Sequence, residues 1–222
     1  IAAIELRAAK AEEGAPPEDF PASPKVDFTK SIDLFRDVAQ TYPRYAHNDA
    51  ARYMMGLLLY EEEAFDAGRQ ALLSLTCGDR FAVPDAEGSN VSSSAGLRQS
   101  DYQGCEPSTA DSKFLTEAWL RVGEIHYDVD ELGPALQAYT EASRDKDSRF
   151  YHAALIRLAW TLYLRREFAA SVERFDEFIL FADEVKGTER GQGAAEYRGE
   201  AVRYLAKAYF EDDWDINGEP DR

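Results

Sequence analysis

"WLRVGEIHYDVDELGPALQAYTEA", residues 119–142, decides the fold. Trp119, Val122 and His126 recur at helical spacing, with the small Gly123 among them. A polar break follows at 128–133, and then Ala135, Tyr139 and Ala142 resume the spacing of three and four. The pattern predicts two helices joined by a short turn. Gly123 in one and Ala135 in the other let their axes approach closely, while the large residues fill the space beside the crossing.

Working outward, the same register recurs. Arg52, Met55, Gly56 and Leu59 lead to Gly68, Leu72 and Leu75, with Phe65 ahead of the small residue. Leu155, Leu158, Ala159 and Leu162 lead to Ser171, Phe175 and Phe178, with Phe168 in the same place. A second helix without a first comes earlier (Ser31, Phe35, Val38, then Pro43), and a first helix without a second comes last (Val202, Leu205, Ala206, Tyr209). The small residues of the second helices, Ser31, Gly68, Ala135 and Ser171, lie 37, 67 and 36 residues apart, so one interval holds a repeat plus an insertion. No run alternates with period two, and the expected fold class is all-α.

Trp119-x2-Val122-Gly123-x2-His126 followed by Ala135-x3-Tyr139-x2-Ala142 resembles the tetratricopeptide repeat (TPR), W-x2-L-G-x2-Y then A-x3-F-x2-A. The resemblance implies an α-solenoid of antiparallel helix pairs over 28–214, interrupted at 76–112 and by a loop at 183–193. Residues 1–13 show a short helical pattern, "GAPPEDFPASPK" (14–25) is a proline-rich linker, and 215–222 is an acidic turn. The chain begins at Ile1 without methionine, which suggests a piece of a longer protein.

Charge narrows the function. A net charge of −17 with pI about 4.6 repels phosphates and argues against a nucleic-acid partner. No apolar run approaches the roughly 18 residues of a membrane span. The motifs of zinc proteases, thiol redox sites, serine hydrolases and P-loops are missing. His126 falls on a core position and His152 opens a first helix, so neither reads as a ligand. "GTERGQGAAE" follows a helix rather than a strand and reads as an ordinary loop. The expectation is therefore a protein without catalysis of its own.

Cys77 and Cys105 bracket a Ser/Gly-rich stretch and lack a second ligand pair for zinc. A disulfide between them is one reading and idle thiols the other; a disulfide places the chain in an oxidising compartment, a bacterial periplasm or the cell exterior. Near the end, Asp213-x-Asp215-x-Asn217-Gly218 is similar to the start of a calcium loop, with Glu219 and Asp221 nearby. Pro220 is unusual there, and the twelfth position lies past Arg222; the other reading is a solvated acidic turn. "DVDELG" (128–133) fails the calcium pattern at its fifth and twelfth positions and reads as a turn.

In TPR arrays the first helices line a concave groove. Carried onto this chain, those positions are Tyr53, Leu57 and Tyr60; Leu120, Glu124 and Tyr127; Ile156, Trp160 and Tyr163; and Arg203, Lys207 and Phe210. Aromatic side chains offer large contact area with few rotors to freeze, so the groove is the candidate site for a partner segment. A groove filled by the chain itself is the alternative, and so is an accessory module of a longer enzyme. The lysine and asparagine of chaperone-tail clamps are missing. The "YPRYAHNDAARYMMG" junction (42–56) is similar to TPR proteins of Gram-negative envelopes. That group includes outer-membrane assembly lipoproteins, the TPR protein of the Tol–Pal system, and myxobacterial gliding and secretion components. The resemblance implies a periplasmic or outer-membrane-associated scaffold with other proteins of an envelope complex as partners.

Overall fold

The computed structural model describes residues 26–211. Among them stand eight α-helices and no strand: α1 (Thr29–Thr41), α2 (Asn48–Glu61), α3 (Phe65–Thr76), α4 (Leu115–Asp128), α5 (Leu132–Ala142), α6 (Tyr151–Leu164), α7 (Phe168–Glu184) and α8 (Gly191–Phe210). Two short 3₁₀ turns, Ser94–Gly96 and Gln99–Tyr102, lie between α3 and α4. The tentative calcium residues Asp213, Asp215, Asn217, Glu219 and Asp221, and the N-terminal segment 1–25, lie outside the described residues.

Three hairpins, α2/α3, α4/α5 and α6/α7, turn in the same way. Glu63, Asp130 and Arg166 take positive φ of 63°, 61° and 62° at equivalent places. The residue after each donates back into the first helix, Ala64 to Leu59, Glu131 to His126 and Glu167 to Leu162. A single left-handed residue reverses the chain and satisfies a helix-end carbonyl. The turn reading of 128–133 fits Asp130, the left-handed residue of the α4/α5 reversal.

The small residues sit at the crossings. A Cβ on Gly123 would come within 2.4 Å of the Tyr139 ring, and one on Gly56 within 2.6 Å of Leu72. In the third hairpin Ser171 Oγ donates to the carbonyl of Ala159 at 3.1 Å. Each helix packs on the next, and the first helices also touch in series, α4 on α6 and α6 on α8. The largest core runs through α2–α6, with Leu72, Trp119, Tyr139 and Leu158 among its members. A second core joins α6, α7 and α8, and a third joins α1, α2 and α3.

α8 begins at Gly191, inside the stretch expected as a loop to 193. Its first turn packs too closely for side chains: a Cβ on Gly191 would meet the carbonyl of Val185, and one on Gly193 would meet the ring of half-buried His152. These glycines serve packing.

Cys77 and Cys105 are disulfide-bonded, their Cα atoms 4.7 Å apart. The insertion they anchor is built onto the second helices. Arg36 of α1 donates to Pro84 O at 3.2 Å, and Gln70 of α3 donates to Ala82 O at 3.0 Å. Fully buried Arg69 pairs with Asp66 at 2.7 Å and donates to the carbonyl of Ser92. Ser108 N donates to Leu75 O at 2.8 Å, and the 3₁₀ turn at Gln99–Tyr102 packs on α5.

Candidate functional site

The first helices place their predicted residues in two environments. Tyr53, Leu120 and Ile156 are core residues, which corrects their assignment to an open groove. First helices touch one another in series, so the side turned toward the next pair is covered. Tyr53 stacks on Phe114 with ring centroids 4.7 Å apart, and Ile156 belongs to the core shared with α8. Leu57, Glu124, Tyr127, Trp160 and Tyr163 are half-buried, whereas Tyr60, Arg203, Lys207 and Phe210 are exposed.

The accessible residues form an aromatic strip laced with charge. Arg121 Nη1 holds Glu124 Oε2 at 2.7 Å, and Arg157 Nη2 lies 3.7 Å from the other oxygen of Glu124. Arg157 also sits over the Trp160 ring, 5.8 Å from its centroid. Asp128 is held above the usual carboxylate range by burial and by the nearby Glu124. Burial raises the phenol of Tyr60, and Asp128 and Glu124 add to the shift. The phenol of Tyr127 is likewise pushed up by burial. Such a face combines ring surface with hydrogen-bonding groups already ordered by neighbours.

The C-terminal end of the strip is partly filled from within. Tyr197 and Tyr204 of α8 meet Trp160 edge-on at 5.8 and 6.3 Å, and Tyr204 meets Tyr163 at 5.2 Å. Lys207 caps the Tyr204 ring at 4.6 Å. Among the described residues the indole N–H of Trp160 is buried without a hydrogen-bond acceptor. Sequence reasoning passed over Tyr197 and Tyr204, although their spacing of seven puts both on one face of α8.

A second polar cluster lies inside the molecule. Tyr102 of the insertion is fully buried and shares a 2.6 Å hydrogen bond with His126 Nε2, while His126 Nδ1 lies 2.6 Å from Glu131 Oε2. Burial holds the His126 imidazole below its ordinary range, opposed by the bond to Glu131. His126 is therefore neutral near pH 7, donating from Nδ1 to the carboxylate and accepting the tyrosine proton at Nε2. With Tyr102 and His126 fully buried and Glu131 partly exposed, the trio binds the insertion to the α4/α5 hairpin.

Cys77, Asp79 and Cys105 come close enough together to suggest a metal cluster, but both sulfurs are consumed in the disulfide. Among the described residues no helix is long and apolar enough to cross a membrane. The chain has no match among family models, curated proteins or solved structures.

Proposed function

We propose that this chain is a TPR-like scaffold without catalysis of its own, which captures a partner protein segment along the first-helix strip of Tyr60, Tyr127, Trp160 and Tyr163. The observation that carries this reading is the placement of the insertion. Its hydrogen bonds run to α1, α3 and His126, and the ring neighbours of Tyr60, Trp160 and Tyr163 come from Phe65, Phe168, Tyr197 and Tyr204. Among the described residues the insertion thus leaves the strip an accessible aromatic surface. The repeated turns and small-residue crossings support the solenoid reading. The disulfide supports an oxidising compartment, and with the envelope resemblance it favours the periplasm and an envelope complex as the setting.

The test is the triple variant Tyr127→Ala, Trp160→Ala, Tyr163→Ala, compared with the parent chain for recovery of partners from native envelope extract. Circular dichroism checks that the variant stays helical. Loss of aromatic anchors of this kind weakens binding by about 2 kcal/mol or more, roughly thirtyfold. Unchanged recovery by a folded variant removes the proposal. A second reading, a spacer whose strip is self-filled, is favoured by the packing of Tyr197 and Tyr204 on Trp160, and it predicts that unchanged recovery.

A further inference from the structure

We propose that residues 93–104 form a flap that Tyr102 latches shut and that protonation of His126 releases. The argument begins with how unequally the insertion is anchored. Its first half, 78–92, buries Phe81, Val83 and Pro84, and Arg36, Gln70 and Arg69 donate to its carbonyls at Pro84, Ala82 and Ser92. In the second half, 93–104, Leu97 is half-buried and Tyr102 is the one buried residue. The other bonds that tie this half to the body reach exposed partners. Ser94 N donates to Asp66 Oδ1 at 3.3 Å, and Arg80 donates to the carbonyls of Asp101 and Gly104 at 2.9 and 3.3 Å. Its ends are fixed, at Ser92 by Arg69 and at Cys105 by the disulfide. A segment fixed at both ends, with one buried side chain between them, opens as a unit while the rest of the fold stays in place.

The latch itself is a hydrogen bond in a dry site. The Tyr102 ring lies against Phe81 and Trp119, with centroids 6.0 and 5.8 Å away, and its hydroxyl meets His126 Nε2 at 2.6 Å. With Nδ1–H given to Glu131, Nε2 is the acceptor of the tyrosine proton. A second proton on the imidazole puts an N–H where that acceptor stood. The phenol oxygen can turn to accept it, but the phenol proton then has no acceptor among the described residues. A buried donor without a partner costs its full desolvation, which swinging the phenol out to water recovers.

The charged groups around the imidazole come from three elements. Glu131 faces it from the α4/α5 turn, Arg69 and Asp66 face it from α3, and Asp101 of the flap acts on the phenol. On the α5 side, a Cβ on Gly133 would stand 3.5 Å from the Arg165 guanidinium, which Glu167 holds at 2.6 Å. Burial is the largest influence and disfavours the imidazolium; Glu131 and Asp66 favour it, and Arg69 adds to the burial. An open flap returns His126 to water and to an ordinary value near 6.5. The closed form is therefore favoured above that value. It loses ground as the pH falls from there toward the folded value, by up to about tenfold per unit. Opening lifts the Tyr102 ring off Phe81 and Trp119 and bares that apolar surface. None of the strip residues belongs to this cluster, so the inference is independent of whether the strip holds a partner.

Hydrogen exchange of the full 222-residue chain, read by mass spectrometry and corrected for the intrinsic rate at each pH, tests it. Amides of 93–104 are expected to lose protection by up to roughly thirtyfold between pH 7.5 and 5.0, while those of 78–92 and α5 keep theirs. In His126→Gln the amide still donates to Glu131 and accepts from Tyr102, and the flap is expected to lose its response to pH. Tyr102→Phe keeps the ring and is expected to loosen the flap severalfold already at pH 7.5. Circular dichroism checks that both variants stay helical. Protection of 93–104 that is the same at both pH values overturns the proposal. So does a loss shared equally by α5, which marks opening of the whole hairpin. A flap as pH-sensitive in His126→Gln as in the parent, or no looser in Tyr102→Phe, overturns it as well.

Discussion

Of the four connections that carry the chain from a second helix to a first helix, two end alike, 77–114 between α3 and α4 and 143–150 between α5 and α6. The first closes on Asp111-Ser112-Lys113-Phe114 and the second on Asp147-Ser148-Arg149-Phe150. In each, the serine Oγ accepts from the phenylalanine N–H at 3.2 Å. In each, the intervening cation lies over the ring, Lys113 at 5.2 Å from the Phe114 centroid and Arg149 at 4.5 Å from that of Phe150. The same entry into a first helix therefore closes both connections, although their lengths differ. Everything upstream of it in the longer connection is added, and it is held by its own devices: the disulfide, buried Arg69 and the Tyr102 plug.

The sharpest way to break the comparison is to remove the staple that only the long connection has. Closing a loop of sequence separation 28 contributes about 3.6 kcal/mol in the chain-entropy account. The double variant Cys77→Ser, Cys105→Ser is expected to lose about that much in urea unfolding, and reductant is expected to shift the parent equally and the variant not at all. A loss below about 1 kcal/mol would falsify the view that the insertion depends on its staple and would transfer that role to Arg69 and Tyr102.

The next test uses protons. Because burial holds His126 below its ordinary range, the unfolded chain takes up a proton first as the pH falls. The stability that neutral His126 contributes is complete above its unfolded value near 6.5 and is lost as pH drops from there toward the folded value, at up to about 1.4 kcal/mol per pH unit. Half-buried His152 is lowered by burial as well, so the measurement is a difference. Urea midpoints at pH 7.5 and 5.0 are compared for the parent and for His126→Gln, and the parent is expected to fall further. Equal falls in the two proteins would mean that the Tyr102–His126–Glu131 cluster does not couple the insertion to protonation.

The hairpins were legible in the sequence because their determinant is local. Gly56, Gly123 and Ala159 each stand twelve residues before a small partner, and a helix crossing demands that spacing whatever surrounds it. The partial failure at Tyr53, Leu120 and Ile156 has the opposite origin. Which side of a first helix stays open depends on the angle between successive pairs, and no single repeat contains that information. The side taken by the insertion was hidden for the same reason: Arg69 and Gln70 meet backbone carbonyls at Ser92 and Ala82, and carbonyls leave no trace in residue types. His126 was legible as core, but its partner Tyr102 lies 24 positions away across the insertion. The Asp-Ser-cation-Phe entry, by contrast, stood in plain view 36 residues apart, and aligning the connections as well as the helices finds it.

That shared entry sets the finest test of the comparison. If the serine bond is self-contained within this entry, it contributes the same at both sites, whatever length of chain precedes it. Ser112→Ala and Ser148→Ala each remove one hydrogen bond to the residue that begins a first helix, an effect of about 0.5–1.5 kcal/mol. The two sites share no partner, so the double variant is expected to lose the sum of the single losses. Urea midpoints of the three variants check both points. A much larger loss at Ser112 would show that the insertion depends on the helix entry that follows it. A much larger loss at Ser148 would show the reverse, that the staple and plug already hold the α4 entry in place and leave its serine little to contribute.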